Sequence, residues 1–333
     1  MYIWRLQKGG VFVKMNAFIF PGQGAQFQGM VKDLCLNDER LMFLVTQAEK
    51  ISGKPVSKIL WETELSELSR SDNSQLAITV ASIVLIHALK SKGIESDVCA
   101  GFSLGEFPAL YDSGVLSFED TIKLVTQRGK IMQKVCDELT EQSNGNPPGM
   151  VAVLGLNPEQ VKSVCEPLTQ KGIAFPANLN SPKQTVVSGT AEGLTECESL
   201  FKASGARRVV KLKVAGPFHS PLMEKAGVEF EKVLQTVEFN NPKKVLLSNV
   251  SGNIITSGEE AKKLAVKHLT CPVQWTEEEK ILNELFEKST EENSLFEVGP
   301  GSVLSGLWRD SGYGETLVCK PCGTLEQMME EIC

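Results

Sequence analysis

Short apolar segments alternate with longer amphipathic segments along most of the chain. Apolar runs at residues 17–20, 98–102, 245–249 and 295–298 are four or five residues long, and three of them run into a Pro, Ser or Gly turn. Residues 76–89 and 118–135 carry apolar side chains at helical spacing. Short strands that alternate with helices are typical of an α/β core with a largely parallel sheet.

The middle of the chain has a different pattern. Residues 140–149 are polar and rich in Gly, Pro and Asn, as linkers are. Between residues 150 and 214 the pattern predicts the order β-α-β-β-α-β, which is the ferredoxin-like unit. At about 150 residues per domain, 333 residues suggest two domains.

We therefore predict an α/β-hydrolase-like large domain into which a small ferredoxin-like subdomain is inserted. The large domain takes residues 15–139 and 215–333, and the subdomain takes residues 140–214. Residues 1–14 precede Met15 and contain no apolar core of a signal peptide, so we interpret them as an N-terminal extension.

Composition narrows the class of function. Hydrophobic residues make up 42% and charged residues 23%, as in a globular protein. The 34 basic and 41 acidic residues give a net charge of −7, which argues against a nucleic-acid binder. The apolar run at residues 76–89 is shorter than the roughly 20 residues that span a bilayer. We expect a protein that binds neither nucleic acid nor membrane.

The nine cysteines are irregularly spaced, unlike a secreted disulfide framework. Cys319 and Cys322 form an isolated CxxC pair, and zinc would need two more ligands at suitable spacing. We expect ordinary thiols, no metal and a cytoplasmic location.

The segment Gly101-Phe102-Ser103-Leu104-Gly105 fits the pattern G-x-S-x-G. It falls between a predicted strand and a predicted helix, where this motif presents a nucleophilic serine. Both glycines are needed because a sharp turn leaves no room for a Cβ on either side of the serine. The alternative is a capping box, since Ser103 is followed three residues later by Glu106.

A nucleophilic serine needs a base, and the chain has only three histidines. His87 lies among apolar residues at helical spacing and is expected to be a packed helix residue. His268 follows several lysines on a helix that we expect to be solvated. His219 lies on a Gly/Pro-rich loop after a strand, a place that favours an active site, although a structural loop histidine is the alternative.

A second glycine turn follows the first predicted strand. In Phe20-Pro21-Gly22-Gln23-Gly24 the amide of Gln23 is a candidate donor to an oxyanion, together with the amide of Leu104. A plain turn is the alternative. A P-loop is excluded because no Gly-Lys-Ser/Thr follows.

Taken together, these segments resemble the malonyl-CoA:acyl carrier protein transacylases, in particular the stand-alone bacterial enzymes of fatty acid synthesis. The resemblance runs from Met15 to about Gly306 and rests on six motifs in register. They are residues 20–24, 101–106, 127–133 (QRGKIMQ), 217–220 (PFHS), 272–275 (PVQW) and 297–301 (EVGPG).

The resemblance implies a serine/histidine acyltransferase that works by a ping-pong mechanism. Ser103 would be acylated and His219 would be its base. The backbone amides of Gln23 and Leu104 would form the oxyanion hole. The resemblance further implies that a main-chain carbonyl at Gln274, rather than an Asp, orients the histidine.

The resemblance also assigns substrate binding. Arg128 would hold the malonyl carboxylate, for which a planar guanidinium is suited. From spacing alone, a solvated ion pair is the alternative for Arg128. Phe218 fits malonyl-selective relatives. Phe102 departs from the His that many relatives carry at that position, which leaves that ring's polar contacts near the acyl group in doubt.

The implied function is malonyl transfer from malonyl-CoA to the phosphopantetheine thiol of an acyl carrier protein, for fatty acid elongation. It needs no cofactor, and we expect a monomer. Because both partners are anionic, we expect local basic patches, with candidates at residues 207–213, 243–244 and 262–263, although solvated surface charge is the alternative. The rival functions are a serine esterase or lipase, a trans-acting acyltransferase of polyketide assembly, and a non-catalytic module that binds carrier proteins.

Overall fold

The protein contains two β-sheets and fourteen helices within residues 14–332, which are the residues that the computed structural model describes. The predicted N-terminal extension therefore lies, except for Lys14, outside the described residues. The strands are β1 (Asn16–Phe20), β2 (Val98–Gly101), β3 (Gly149–Leu154), β4 (Ala174–Ser181), β5 (Gln184–Gly189), β6 (Arg208–Lys211), β7 (Val245–Leu247), β8 (Ile254–Ile255), β9 (Ser294–Glu297) and β10 (Cys319–Pro321).

Five helices lie between β1 and β2, and one or two helices separate most of the later strands. They are α1 (Lys32–Asn37), α2 (Glu39–Ser52), α3 (Val56–Trp61), α4 (Leu65–Leu68), α5 (Ser71–Ser91), α6 (Glu106–Asp112), α7 (Phe118–Gln142), α8 (Pro158–Gln170), α9 (Ala191–Ala203), α10 (Glu224–Leu234), α11 (Gly258–Lys267), α12 (Trp275–Glu287), α13 (Val303–Asp310) and α14 (Leu325–Ile332). Short 3₁₀ turns occur at Ser103–Gly105, Pro221–Met223 and Tyr313–Glu315.

The larger sheet has the order β10-β9-β1-β2-β7-β8. Its first five strands are parallel, and only β8 runs antiparallel to its neighbour. This confirms the predicted α/β fold with a mostly parallel sheet. Because Phe20 of β1 is paired with Gly101 of β2, the two glycine turns that follow these strands emerge side by side at one edge of the sheet.

Helix α5 forms the centre of the large core. Nearly every side chain along it is buried, and it packs against α7 and α2. It is long and apolar enough to cross a membrane by composition alone, but 83% of its most apolar window is covered by the rest of the protein. A helix that is apolar on all sides is buried in this way in the centre of a large domain.

The smaller sheet is antiparallel and has the order β4-β5-β3-β6. Helices α8 and α9 bury their apolar faces on it, around Val161, Cys165 and Phe201. The chain order is β-α-β-β-α-β, as the pattern predicts. Main-chain bonds join this sheet to the segment that precedes α12: Leu179 donates to the carbonyl of Val273, and Val273 donates to that of Ala177.

Element ends differ from the predictions by a few residues. Helix α7 runs to Gln142, because Glu, Leu and Gln, which are good helix formers, make up most of residues 138–142. The turn starts only at Asn144 and Gly145, which have φ of 50° and 85°. The predicted linker is therefore shorter than residues 140–149. Strand β6 ends at Lys211 instead of continuing to residue 214.

Candidate active site

The turn around Ser103 is as tight as its glycines imply. A Cβ on Gly101 would lie 2.0 Å from the carbonyl oxygen of Gly105, and a Cβ on Gly105 would lie 2.0 Å from that of Phe20. Ser103 itself has a φ of 52°, in the left-handed region that non-glycine residues rarely adopt. This strained conformation turns the Ser103 side chain out at the carboxyl end of β2.

Ser103 and His219 meet, although 116 residues separate them in the chain. The Ser103 hydroxyl lies 2.7 Å from His219 Nε2, and Ser103 makes no side-chain cap to the helix that follows. The capping-box alternative is therefore wrong. His219 is 4% exposed and also has a left-handed φ, of 55°.

The partner of the other His219 nitrogen differs from the expectation. His219 Nδ1 lies 2.9 Å from the main-chain carbonyl oxygen of His268. A carbonyl only accepts, so Nδ1 carries the proton and Nε2 keeps its lone pair for the Ser103 hydroxyl. The Gln274 assignment is wrong, because the Gln274 carbonyl accepts from the amides of Glu277 and Glu278 at the start of α12.

His268 is thus the site residue that sequence reasoning missed. We expected it on a solvated helix, but it caps the C-terminal end of α11 and is 2% exposed. The lysines before His268 suggested an exposed helix. Only the packing of α11 shows that the residue capping its C-terminal end is buried. The one available signal was that His268 is among only three histidines.

Burial also changes the proton affinity of His219. Desolvation holds the pKa of His219 well below its ordinary value of 6.5, and the electrostatic effects of the neighbouring His268 and Arg128 lower it further. The imidazole is therefore neutral, as a general base must be.

Arg128 lies in the wall of the same cleft. It projects from α7, is 1% exposed, and its guanidinium donates to Gln75 Oε1 at 2.7 Å and to His268 Nδ1 at 3.2 Å. No carboxylate of residues 14–332 forms a salt bridge with it, and its Nε has no hydrogen-bond partner there. Burial lowers the pKa of Arg128 to about 9, so the group is still a cation at neutral pH. The solvated ion pair is therefore wrong, and a buried cation without a paired anion is suited to an anionic ligand.

Two backbone amides lie close to Ser103. In the described part of the chain, neither the Gln23 amide nor the Leu104 amide has an acceptor. Gly22 lies against the turn that carries Ser103, where a Cβ would approach Phe102 O to 2.5 Å. This close approach places the amide of Gln23 beside Ser103, where two free donors suit an oxyanion.

Gln23, Ser103, Arg128 and His219 line one cleft of about 230 Å³ between the two sheets. Its other walls are mainly apolar, and its lining includes Phe102, Met132, Met150, Val186, Leu212, Phe218, Val303 and Leu307. The Phe102 ring packs edge-to-face on Trp275, with 5.4 Å between the centroids. The carbonyl of Phe218 accepts from Ser188 at 2.5 Å, which fixes the residue before His219 to the small sheet.

Asn249 is a second residue that the sequence analysis did not identify. Its side-chain oxygen accepts from the Ser103 amide at 2.5 Å, and its side-chain nitrogen donates to the Gly101 carbonyl. It therefore braces both sides of the strained turn. Asn249 follows β7, the neighbour of β2, so only the strand order reveals this role.

The remaining candidates have structural surroundings. Cys319 and Cys322 are buried, and burial raises the pKa of the Cys319 thiol well above its ordinary value. Within residues 14–332, no three His, Cys, Asp or Glu side chains are grouped as a metal site would require. Tyr111 contacts His87 at 2.7 Å in a region away from the cleft.

Comparisons with known proteins agree with this geometry. The family model described as "Acyl transferase domain" matches residues 17–320. The malonyl CoA-acyl carrier protein transacylase of Bacillus subtilis is 36% identical over 292 residues, which cover 87% of this chain and 88% of that protein. That of Escherichia coli is 33% identical over 292 residues, covering 87% and 91%.

Solved structures of transacylases have the same fold. The malonyl CoA-acyl carrier protein transacylase of Coxiella burnetii superposes with a TM-score of 0.87 at 28% identity and covers 97% of this chain and 98% of its own. A malonyl-transacylase in complex with a type II polyketide acyl-carrier protein gives a TM-score of 0.86 at 31% identity, covering 96% and 99%.

Proposed function

This chain belongs to the malonyl-CoA:acyl carrier protein transacylases, and we propose that Ser103 and His219 carry its acyl group and its proton. It is an acyltransferase that moves malonyl groups from malonyl-CoA to an acyl carrier protein. The observation that carries the site assignment is the 2.7 Å contact between Ser103 and His219 in a cleft that also holds the buried Arg128.

The first half-reaction forms an ester on Ser103. His219 Nε2 takes the hydroxyl proton as Ser103 Oγ attacks the thioester carbonyl, and the Gln23 and Leu104 amides donate to the oxyanion. The C–S bond then breaks, and the CoA sulfur leaves as a thiol with the proton that His219 held. The phosphopantetheine thiol of the carrier protein reverses these steps. Thioester, ester and thioester are close in energy, so the proposed transfer uses neither a cofactor nor ATP.

Arg128 supplies the selectivity in this proposal. Its guanidinium can hold the free carboxylate of malonyl in two hydrogen bonds. An acetyl group would leave the same buried cation unpaired. This makes acetyl transfer less favourable than malonyl transfer by a few kcal/mol. The apolar wall that includes Phe102 and Phe218 would contact the rest of the acyl group.

Two rivals are less well supported. A serine esterase of the G-x-S-x-G type carries an acid on its histidine, whereas His219 Nδ1 contacts a carbonyl. One observation favours a transacylase that supplies malonyl groups to polyketide assembly, namely the similarity to a malonyl-transacylase bound to a polyketide carrier protein. We place the chain in fatty acid elongation because of its likeness to the stand-alone bacterial enzymes.

The same proposal covers the finer architecture. The strand order β4-β5-β3-β6 with two helices on one face supports a ferredoxin-like subdomain, and the parallel sheet with its nucleophile turn supports an α/β-hydrolase-like core. We place the boundaries near residues 140 and 214. Buried free thiols such as those of Cys35, Cys99 and Cys136 support a reducing, cytoplasmic location.

The test of the catalytic proposal is the mass of the intact protein after mixing with malonyl-CoA. A covalent malonyl group on Ser103, which a carrier protein then removes, is the expected result. An unmodified protein under turnover conditions would contradict it.

The lowered pKa of His219 predicts how acylation depends on pH. A histidine with a depressed pKa stays neutral as the pH falls through 6.5, so acylation of Ser103 should keep most of its rate there. The measurement is the stopped-flow acylation rate between about pH 5 and 8. A falling limb centred at about 6.5, with the fold intact by circular dichroism, would contradict the burial effect.

The three predicted basic clusters do not have equal surroundings. Lys244 pairs with the buried Asp112, Lys263 pairs with Glu259, and Lys262 donates to the carbonyl of Val237. These side chains are already occupied.

The third cluster lies on the edge strand β6 and the residues after it. Lys211 and Lys213 are exposed, and no carboxylate in residues 14–332 forms a salt bridge with either. They alternate with Leu212 and Val214, which line the cleft. This position at the mouth supports the proposal that they attract the acidic carrier protein.

Replacing Lys211 and Lys213 together by Ala should raise the KM for the carrier protein about three- to tenfold, because surface charge contributes about 1 kcal/mol or less per pair. The effect should shrink in high salt. Lys262→Ala with Lys263→Ala changes the net charge equally and is the matched control. Equal effects of the two double variants would mean that net charge, rather than this surface, guides the carrier.

A further inference from the structure

The residue that orients the base also touches the substrate arginine. The main-chain carbonyl of His268 binds His219 Nδ1, whereas its side chain lies between Arg128 and Glu106. His268 Nδ1 is 3.2 Å from Arg128 Nη2, and His268 Nε2 is 3.2 Å from Glu106 Oε2. All three side chains are buried.

The hydrogen-bonding capacities fix which nitrogen carries the proton. A guanidinium only donates, so His268 Nδ1 must be the acceptor in its contact with Arg128. The ring proton is then on Nε2, the nitrogen that faces the Glu106 carboxylate. That carboxylate favours this tautomer. The backbone N–H of Asn249 donates to the same oxygen, Glu106 Oε2, at 3.2 Å.

The charges explain why a histidine is placed between the two ions. A carboxylate in direct contact with Arg128 would neutralise the guanidinium and compete with an anionic acyl group. With His268 in between, Glu106 still opposes the effect of burial on the pKa of Arg128, but the guanidinium keeps donors free for the cleft. Gln75 Oε1, the other acceptor on Arg128, is likewise uncharged.

We propose that Glu106 and His268 are a positioning pair for malonyl recognition: Glu106 sets the tautomer of His268, and the His268 side chain aims Arg128 at the acyl group on Ser103. The inference rests on the proposed function. It concerns the side chain of residue 268 only, because any residue at that position keeps the carbonyl that orients His219.

Because the side chain and the carbonyl of His268 have different roles, a substitution of the side chain tests the proposal. In His268→Leu the carbonyl is retained and the acceptor for Arg128 is lost. Because a hydrogen bond to a charged group is worth about 1.5–3 kcal/mol, kcat/KM for malonyl-CoA should fall roughly ten- to hundredfold, mainly through KM. Acylation by acetyl-CoA should change by less than about threefold, since acetyl has no carboxylate for Arg128 to hold.

A conservative variant provides the rescue. In His268→Gln the amide oxygen can accept from Arg128 and the amide nitrogen can donate to Glu106, so malonyl selectivity should return to within a few-fold of the parent protein. If the Leu variant does not fold, His268→Asn replaces it, since its shorter amide cannot reach both neighbours. His87→Leu removes a histidine outside the cleft and is the matched control.

The outcomes separate two kinds of failure. If the parent protein is not malonylated, the proposed function is wrong and the inference is overturned with it. If the parent is malonylated but His268→Leu slows malonyl and acetyl acylation equally, or leaves the malonyl KM unchanged, the side chain is merely structural. Failure of His268→Gln to restore selectivity would also overturn the proposal.

Discussion

Ser103→Ala is expected to abolish the covalent malonyl adduct and to lower the rate of malonyl transfer by about 10⁴-fold or more. Loss of the serine has an effect of this size in other enzymes that pair a nucleophilic serine with a histidine base. The reason is geometric. Ser103 Oγ is the atom within 2.7 Å of the neutral His219, and the tight turn presents it beside the two free amides. Intact-protein mass with malonyl-CoA and a transfer assay measure the two effects.

The control for Ser103→Ala is Ser204→Ala, which removes an exposed hydroxyl at the end of α9. It should leave both the adduct and the transfer rate unchanged. A malonyl adduct that persists in Ser103→Ala would remove the nucleophile assignment. An unchanged melting temperature would show that the alanine variant is folded.

Arg128→Leu is expected to change the choice of acyl group. Removing one partner of a buried charge pair costs about 3–5 kcal/mol, which corresponds to roughly a 10²- to 10⁴-fold loss of kcat/KM for malonyl-CoA. Acetyl transfer should be spared or gain, because the variant no longer leaves a buried cation unpaired when acetyl is bound. The measurement is kcat/KM for both substrates.

Arg40→Leu is the matched control for this variant, because Arg40 is exposed and forms a surface ion pair with Asp38. The kcat/KM of Arg128→Lys for malonyl-CoA should lie between those of the parent protein and Arg128→Leu. An ammonium keeps the charge but cannot form two parallel hydrogen bonds to the carboxylate. Equal losses for malonyl and acetyl transfer in Arg128→Leu would mean that the arginine is structural.

The pattern of hydrophobic residues along the chain was sufficient to predict the fold class. Helix α5 and the short strands β1, β2 and β9 are recognisable because their periodicity and length distinguish buried elements. The ends of elements were not predictable to the residue. Helix α7 continued through a segment that composition assigns to a linker, because local helix propensity outweighed the polar bias there.

The local chemistry of the nucleophile was also readable. The steric need for Gly101 and Gly105 follows from the motif, and in the structure a Cβ added at either position would lie 2.0 Å from a main-chain oxygen. The meeting of Ser103 with His219 could be proposed because the chain has only three histidines. In contrast, the resemblance placed the orienting carbonyl at Gln274, six positions from its place at His268.

The sequence by itself determined the parallel α/β core, the serine turn, His219 as the candidate base and the family. The tertiary structure alone decided that the carbonyl of residue 268 orients His219, that Arg128 is buried without a carboxylate, and that Asn249 braces the turn. The physical reason is that motifs and periodicity record local geometry, which neighbouring residues fix. Contacts between segments depend on which strands lie side by side and how far each helix extends, and no single segment of the chain encodes those distances.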